Sequence, residues 1–249
     1  MRNYRRLRLT TAALVTVLAV AGCERAGSGD AGGASPSPAA PTGAPVTSTP
    51  TPPATTSEPA PTVIPVAAFL ALPKEMRHGD IRTRADFENA VPEMCGGEFA
   101  SGGATAASAS VMSAYVRRGD PADSIPSGVL YQTIRTYPGD GAVAFMERLR
   151  DDMASCTAYK RQGVSFKART QALRGVGDEA LTIDVIQPQT DLPGNPIGGE
   201  QTNRVVVIRV GDTVTILWDA EYERSSSDAK VVAEFARGAV AAIKDWRNA

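Results

Sequence analysis

Two β-branched runs, Arg204 to Val210 and Thr213 to Ala220, flank the dipeptide Gly211-Asp212 and constrain the fold more than any other feature of the chain. A two-residue connection of this composition is a tight hairpin signal. That loop length sets the register: Val205 faces Trp218, Val207 faces Ile216, and Val206 faces Leu217. Side chains alternate between the two faces of a strand, so this hairpin is apolar on both faces near its middle. Such a hairpin belongs at the centre of a sheet covered on both sides.

Other elements group around it. Ala104 to Arg117 is expected to contain a strand, broken by Arg118-Gly119-Asp120-Pro121. Gly128 to Tyr137 alternates and reads as a second, and Ala180 to Ile186 as a third. Pro138-Gly139-Asp140-Gly141 is a turn with Asp140 a plausible N-cap. Beyond it, Ala142, Phe145, Met146, Leu149 and Met153 fall on one face of a helix that runs up to Cys156. A short apolar helix is expected from Val66 to Leu72, stopped by Pro73. A final helix from about Asp228 to Trp246 presents Val231, Val232, Phe235, Ala239, Ile243 and Trp246, with Ser226 or Ser227 as cap and Asp228 complementing the dipole. Strands in a meander with helices between the groups indicate an α+β fold, an antiparallel sheet with helices packed on it.

The N-terminal part is different. Arg2, Arg5, Arg6 and Arg8 precede a short apolar stretch from Leu9 to Val20, the order of an export signal. The stretch is about a dozen residues, against the roughly 20 that span a bilayer as a helix. It ends in Leu18-Ala19-Val20-Ala21-Gly22-Cys23, which resembles the lipobox of bacterial lipoproteins. By that resemblance residues 1–22 are a signal peptide and Cys23 is the lipidation site, anchoring the protein in the outer face of the cell membrane. Two acyl chains suffice for stable anchoring where one does not. Residues 23–62 are Gly, Ser, Pro, Thr and Ala with few large apolar side chains, and are expected to stay disordered as a tether. At about 3.1 Å per residue in an extended polyproline conformation, the tether reaches on the order of 100 Å. Residues 63–249 have ordinary composition and the length of one extracellular domain.

Beyond Cys23, two cysteines remain, Cys95 and Cys156. An even pair in an exported chain most simply forms a disulfide. Two reactive thiols or a two-cysteine metal site are the alternatives, and the lone histidine, His78, gives a metal little support. From Val63 onward the chain has 21 basic and 24 acidic residues, after subtracting five and three from totals of 26 and 27. No basic stripe stands out, which argues against nucleic acid as a partner. The composition points to no cofactor. The excess of Arg over Lys with abundant Ala, Gly and Val suits a high-GC actinobacterium.

Candidate chemistry is sparse. Ser227-Asp228-Ala229-Lys230 matches the Ser-x-x-Lys of penicillin-recognising enzymes, but Ser-Asp-Asn and Lys-Thr-Gly are missing. Arg118-Gly119-Asp120 reads as turn chemistry, and Gly175-x-Gly177 lacks the further residues of a phosphate loop. Tyr115, Tyr131, Tyr137, Trp218 and Tyr222 could line a ligand cleft or simply fill the core. The Pro- and Gly-rich stretch Gln187 to Gln201 reads as a long loop, the first place to seek a ligand lid.

The succession of an early Cys, two strands, a Pro-Gly-Asp turn, a helix ending Met153-Ala154-Ser155-Cys156, then Gly175-Val176-Gly177-Asp178-Glu179-Ala180-Leu181, the hairpin and a last helix resembles a known group. It is similar to the actinobacterial extracellular sensor-domain lipoproteins related to the C-terminal domain of PknH-type serine/threonine kinases, over most of residues 90 to 246. The resemblance implies a noncatalytic module that binds an envelope ligand or a protein partner outside the cell. An envelope hydrolase with an unfamiliar site, using Ser227 and Lys230, and a purely structural envelope protein are the other readings.

Overall fold

The computed structural model describes residues 59–84, 90–101, 104–222 and 225–249. The expected export signal, the expected lipidation site Cys23 and the expected tether as far as residue 58 lie outside the described residues. Among those described, eight strands form one antiparallel sheet and two α-helices pack on it, an α+β architecture. The strands are β1 (Arg77–Arg84), β2 (Ala107–Tyr115), β3 (Gly128–Thr136), β4 (Ala158–Arg161), β5 (Val164–Ala172), β6 (Glu179–Thr190), β7 (Pro196–Val210) and β8 (Thr213–Glu221). Their order across the sheet is β1-β2-β3-β8-β7-β6-β5-β4.

The β7–β8 hairpin sits at the centre of that order, with Val205 opposite Trp218, Val206 opposite Leu217 and Val207 opposite Ile216. Gly211 takes φ +59°, as the first central residue of a type II′ turn requires. Helix α1 (Gly141–Ser155) buries Phe145, Met146, Leu149 and Met153 against Ile183, Val205, Val207 and Ile216. Helix α2 (Ala229–Arg247) buries Val232, Phe235, Ala236 and Ala239 against Val206, Ile208 and Leu217. Neighbouring residues of β7 thus feed opposite cores, and the sheet is a filling between two helical layers. Cys156 closes α1 as its C-cap and is joined to Cys95 by a disulfide, with the Cα atoms 5.9 Å apart. Among the described residues no helix is long and apolar enough to cross a membrane.

Four expectations need correction. Val66 to Leu72 is not an α-helix: only Val66–Ala68 forms a single 3₁₀ turn, and Phe69 is extended at φ −87°, ψ 147°. Pro65 and Pro73 bracket a segment too short to nucleate a helix on its own. The sheet satisfies its backbone instead, since Leu70 N–H donates to the buried Gln132 Oε1 at 2.8 Å, and Gln132 Nε2 donates to Thr215 Oγ1 at 3.1 Å. Asp140 precedes α1 without a side-chain cap bond. Its φ −90°, ψ 9° make it a turn residue whose carbonyl accepts from Ala144 N–H at 3.0 Å.

Gln187 to Gln201 is not a loop. β6 runs on to Thr190 and β7 starts at Pro196, so the stretch is a two-stranded arm with a short turn between. Asp191 closes that turn by accepting from Asn195 N–H at 2.7 Å and from Asn195 Nδ2 at 2.9 Å. Proline is tolerated where a strand lacks a partner on one side, so Pro188 misleads a reading by composition. Finally, the last helix is capped by Asp228, which accepts from the backbone N–H of Lys230 and Val231 at 2.8 and 3.2 Å. Ser226 and Ser227 are taken up elsewhere: their hydroxyls accept from Thr202 N–H at 3.2 Å and Arg204 N–H at 3.1 Å, extending the flank of β7.

Candidate functional site

Strand alternation places the site. On the α1 face, the helix covers Val205 and Val207 of β7 and Ile216 of β8. Two residues further along the same face come Asn203 on β7, then Gln201, and on β8 Trp218 and Ala220. Asn203, Trp218 and Ala220 are roofed by Pro92 and Glu93, which lead to the disulfide at Cys95, and by Tyr159 and Arg161 of β4. The result is a pocket of about 220 Å³, whose remaining walls are Phe166, Val185 and Gln187.

Its aromatic rings are held in place by other rings. Trp218 stacks on Tyr131 with centroids 5.1 Å apart and planes 26° from parallel. Tyr159 stacks on Phe166, its direct cross-strand partner, at 5.0 Å and 9°. The β4–β5 turn that brings them together uses Gln162 and Gly163 at φ 50° and 82°, the double positive φ of a type I′ turn. Arg161 spreads its guanidinium over Phe166 at 5.3 Å and donates to the Glu93 carbonyl at 3.2 Å, with the Glu93 carboxylate 3.9 Å away. Burial pushes the Tyr159 phenol above its usual range, Arg161 pulling it down and Glu98 pushing it up.

The floor is amide chemistry, and it is incomplete. Val185 pairs with Asn203 and Gln187 with Gln201 across β6 and β7. Asn203 Oδ1 and Gln201 Nε2 are buried with no hydrogen-bond partner, and Gln201 is only 1% exposed. A desolvated polar atom left unpaired costs about 1–3 kcal/mol. One acceptor and one donor therefore wait on neighbouring residues of the same strand face.

A second polar group lies on the opposite face, where α2 begins. Asp219 is 1% exposed and accepts from the Tyr115 hydroxyl at 2.9 Å. Ser227 Oγ donates to the Asp219 carbonyl at 3.1 Å. Burial pushes the Asp219 carboxyl up to about 6, against the downward pull of the Ser227 and Tyr115 hydroxyls and of Arg204. Arg204 in turn bonds Asp184 at 2.6 Å. Ser227 thus spends its hydroxyl on two backbone groups, while Lys230 is held through its backbone N–H and its side chain is exposed.

The other residues singled out in the sequence scatter. Tyr115 packs edge-on against Phe235 on the α2 face at 5.2 Å, and Tyr137 packs with Phe145 under α1 at 5.7 Å. Tyr222 is exposed, so of the five aromatics only Trp218 lines the pocket. Arg118 pairs with Glu75 and Glu234, which makes the Arg-Gly-Asp stretch a turn tied to α2. Gly175 and Gly177 take φ 74° and 64° in the turn before β6. His78 is the second residue of β1, with its Nδ1 buried and unpaired. Sequence reasoning missed Tyr159 and Asn203 as lining residues and reached Gln187 only as the start of an expected lid loop. An amide in an alternating strand reads as a solvated position, and only the register shows which face it occupies.

No family model matches the chain, and no curated protein matches it in sequence. Among solved structures it is similar to the extracellular domain of PknH from Mycobacterium tuberculosis, at 15% identity and a TM-score of 0.36. The match covers 55% of this chain and 64% of that one, so the chain spans less than two thirds of the solved domain.

Proposed function

We propose that this chain is a lipid-anchored cell-envelope protein whose domain at 63–249 is a noncatalytic binding module, with the α1-face pocket as its ligand site. One observation carries the reading: Asn203 Oδ1 is buried and unpaired in the wall of a pocket lined by Trp218, Tyr159 and Phe166. Concave sites of aromatic walls with a few placed polar groups are where small ligands bind. The address rests on the export pattern before Cys23, and the Cys95–Cys156 bridge suits an oxidising compartment. The side chains that line the pocket can hold a molecule: two carboxamides, ring faces, and an Arg–Glu pair at the mouth.

Thermal denaturation of the full chain with fractionated envelope extract tests this. At least one fraction is expected to raise the midpoint, and Asn203→Leu is expected to remove the gain. If no fraction raises it and no envelope protein is captured, the binding reading fails.

A further inference from the structure

We infer that the α1-face pocket takes a neutral sugar unit, its ring laid on the aromatic wall and its hydroxyls held by Asn203 and Gln187. The inference deepens the binding reading above and rests on it.

Charge comes first. The two formal charges at the mouth, Arg161 and Glu93, face one another, with the guanidinium already donating to the Glu93 carbonyl at 3.2 Å. The charged side chains of the lining thus offer a charged ligand no unpaired counter-charge, and desolvating an unpaired ion is costly. The occupant is neutral.

The polar groups come second. A carboxamide supplies both a carbonyl acceptor and N–H donors, the combination that a hydroxyl, itself donor and acceptor, requires. Asn203 Oδ1 is an acceptor that has already lost its water and gained nothing. Asn203 lines the pocket, and rotation of its carboxamide presents the unpaired oxygen to a ligand hydroxyl, completing a bond to a group already stripped of water, which is where a hydrogen bond contributes most.

Shape is the third argument. The ring of Trp218 is backed by Tyr131 and that of Tyr159 by Phe166, so the wall is flat and fixed before any ligand arrives. Flat aromatic faces suit the C–H-rich face of a sugar ring, apolar in body and polar at the edge. A volume of about 220 Å³ lies below the roughly 300–1,000 Å³ of pockets for drug-sized ligands and accommodates one ring with its substituents.

The test uses the intrinsic fluorescence of the full chain. It has two tryptophans, and Trp246 packs in the separate cluster with Ile243 on the α2 face. Trp246→Phe therefore leaves Trp218 as the sole reporter. This variant is titrated with the methyl glycosides of glucose, mannose, galactose, arabinose and N-acetylglucosamine, with saturation-transfer NMR as an independent readout. Alanyl-alanine, a zwitterion, and inorganic phosphate form the charged arm. At least one glycoside is expected to shift Trp218 emission with a Kd on the order of 1 mM, as befits so small a ligand. Adding Asn203→Leu is expected to weaken it at least about tenfold, with a thermal midpoint unchanged or raised because an unpaired buried acceptor is gone. A charged probe moving Trp218 where no glycoside does overturns the sugar inference and leaves the binding reading standing. Silence from every probe overturns the sugar inference, and the extract experiment then decides the binding reading separately.

Discussion

Asp219 gives the sharpest quantitative expectation. The carboxyl is 1% exposed and its folded value lies near 6, against an ordinary 3.8. A raised value means that the folded chain holds this proton more tightly than the unfolded chain does. Below pH of about 4 both states are protonated and the group exacts no penalty. As pH rises from about 4 to about 6 the unfolded chain ionises while the folded chain keeps its proton, so stability falls, and above about 6 the loss levels off. At roughly 1.4 kcal/mol per pH unit over a gap of about 2, the loss reaches about 3 kcal/mol by pH 7. Asp219→Asn removes the charge and keeps an acceptor for the Tyr115 hydroxyl. Its new amide N–H, if unpaired, costs about 1 kcal/mol. The variant should therefore be more stable than the parent by about 2 kcal/mol at pH 7.5, and less stable or equal at pH 4. Urea unfolding at intervals from pH 4 to 7.5, disulfide intact, measures both. Subtracting the two curves cancels the carboxylates whose values are lowered, such as Glu75, Glu200 and Asp228. A difference that stays constant with pH refutes the linkage. A variant less stable by the same amount throughout would mean that the ionised carboxylate is a net stabiliser through Tyr115.

The remaining expectations concern the bridge, the helix cap and the anchor. Replacing both Cys95 and Cys156 by Ser opens a loop with a sequence separation of 61, which by chain entropy costs about 4 kcal/mol in urea unfolding. An unchanged midpoint would remove the bridge from the account. Asp228→Ala leaves the N–H groups of Lys230 and Val231 without their acceptor and should cost about 1 kcal/mol; Ser226→Ala, which touches only Thr202 N–H, should leave the helical signal of α2 unaltered. Cys23→Ala should move the protein from the membrane fraction to the medium, read by blotting both; retention in the membrane refutes lipidation as the anchor.

How much of this could be read from the sequence follows from where the hydrophobic signal is strong. Gly211-Asp212 between β-branched runs set the central register residue by residue, because a two-residue loop permits one pairing and a one-residue slip would turn Val205 and Val207 away from α1. The α1 face was equally legible, from five apolar residues at helical spacing. The sheet edges were not. β4 has no buried residue, and β5 buries only Phe166 and Ala168, so charged residues such as Lys160 and Lys167 masked the strands. The arm from Gln187 to Gln201 was hidden by Pro188, Gly198 and Gly199, since composition favours a loop where pairing decides for a ribbon. The pocket was least legible of all. Its residues run from Pro92 to Ala220 and come together only once the register, the β4–β5 turn and the disulfide are all in place. Ser226 and Ser227 misled for a different reason: a hydroxyl before a helix caps it only when no strand N–H lies closer.

Native mass spectrometry of the full chain, purified under mild conditions from its native host, decides whether the α1-face pocket holds a ligand. An α1-face pocket that holds a ligand should yield a noncovalent adduct that disappears on denaturation and is absent from the Asn203→Leu protein. A bare mass for the parent, unchanged after incubation with envelope extract, or an adduct that persists equally in Asn203→Leu, would contradict it.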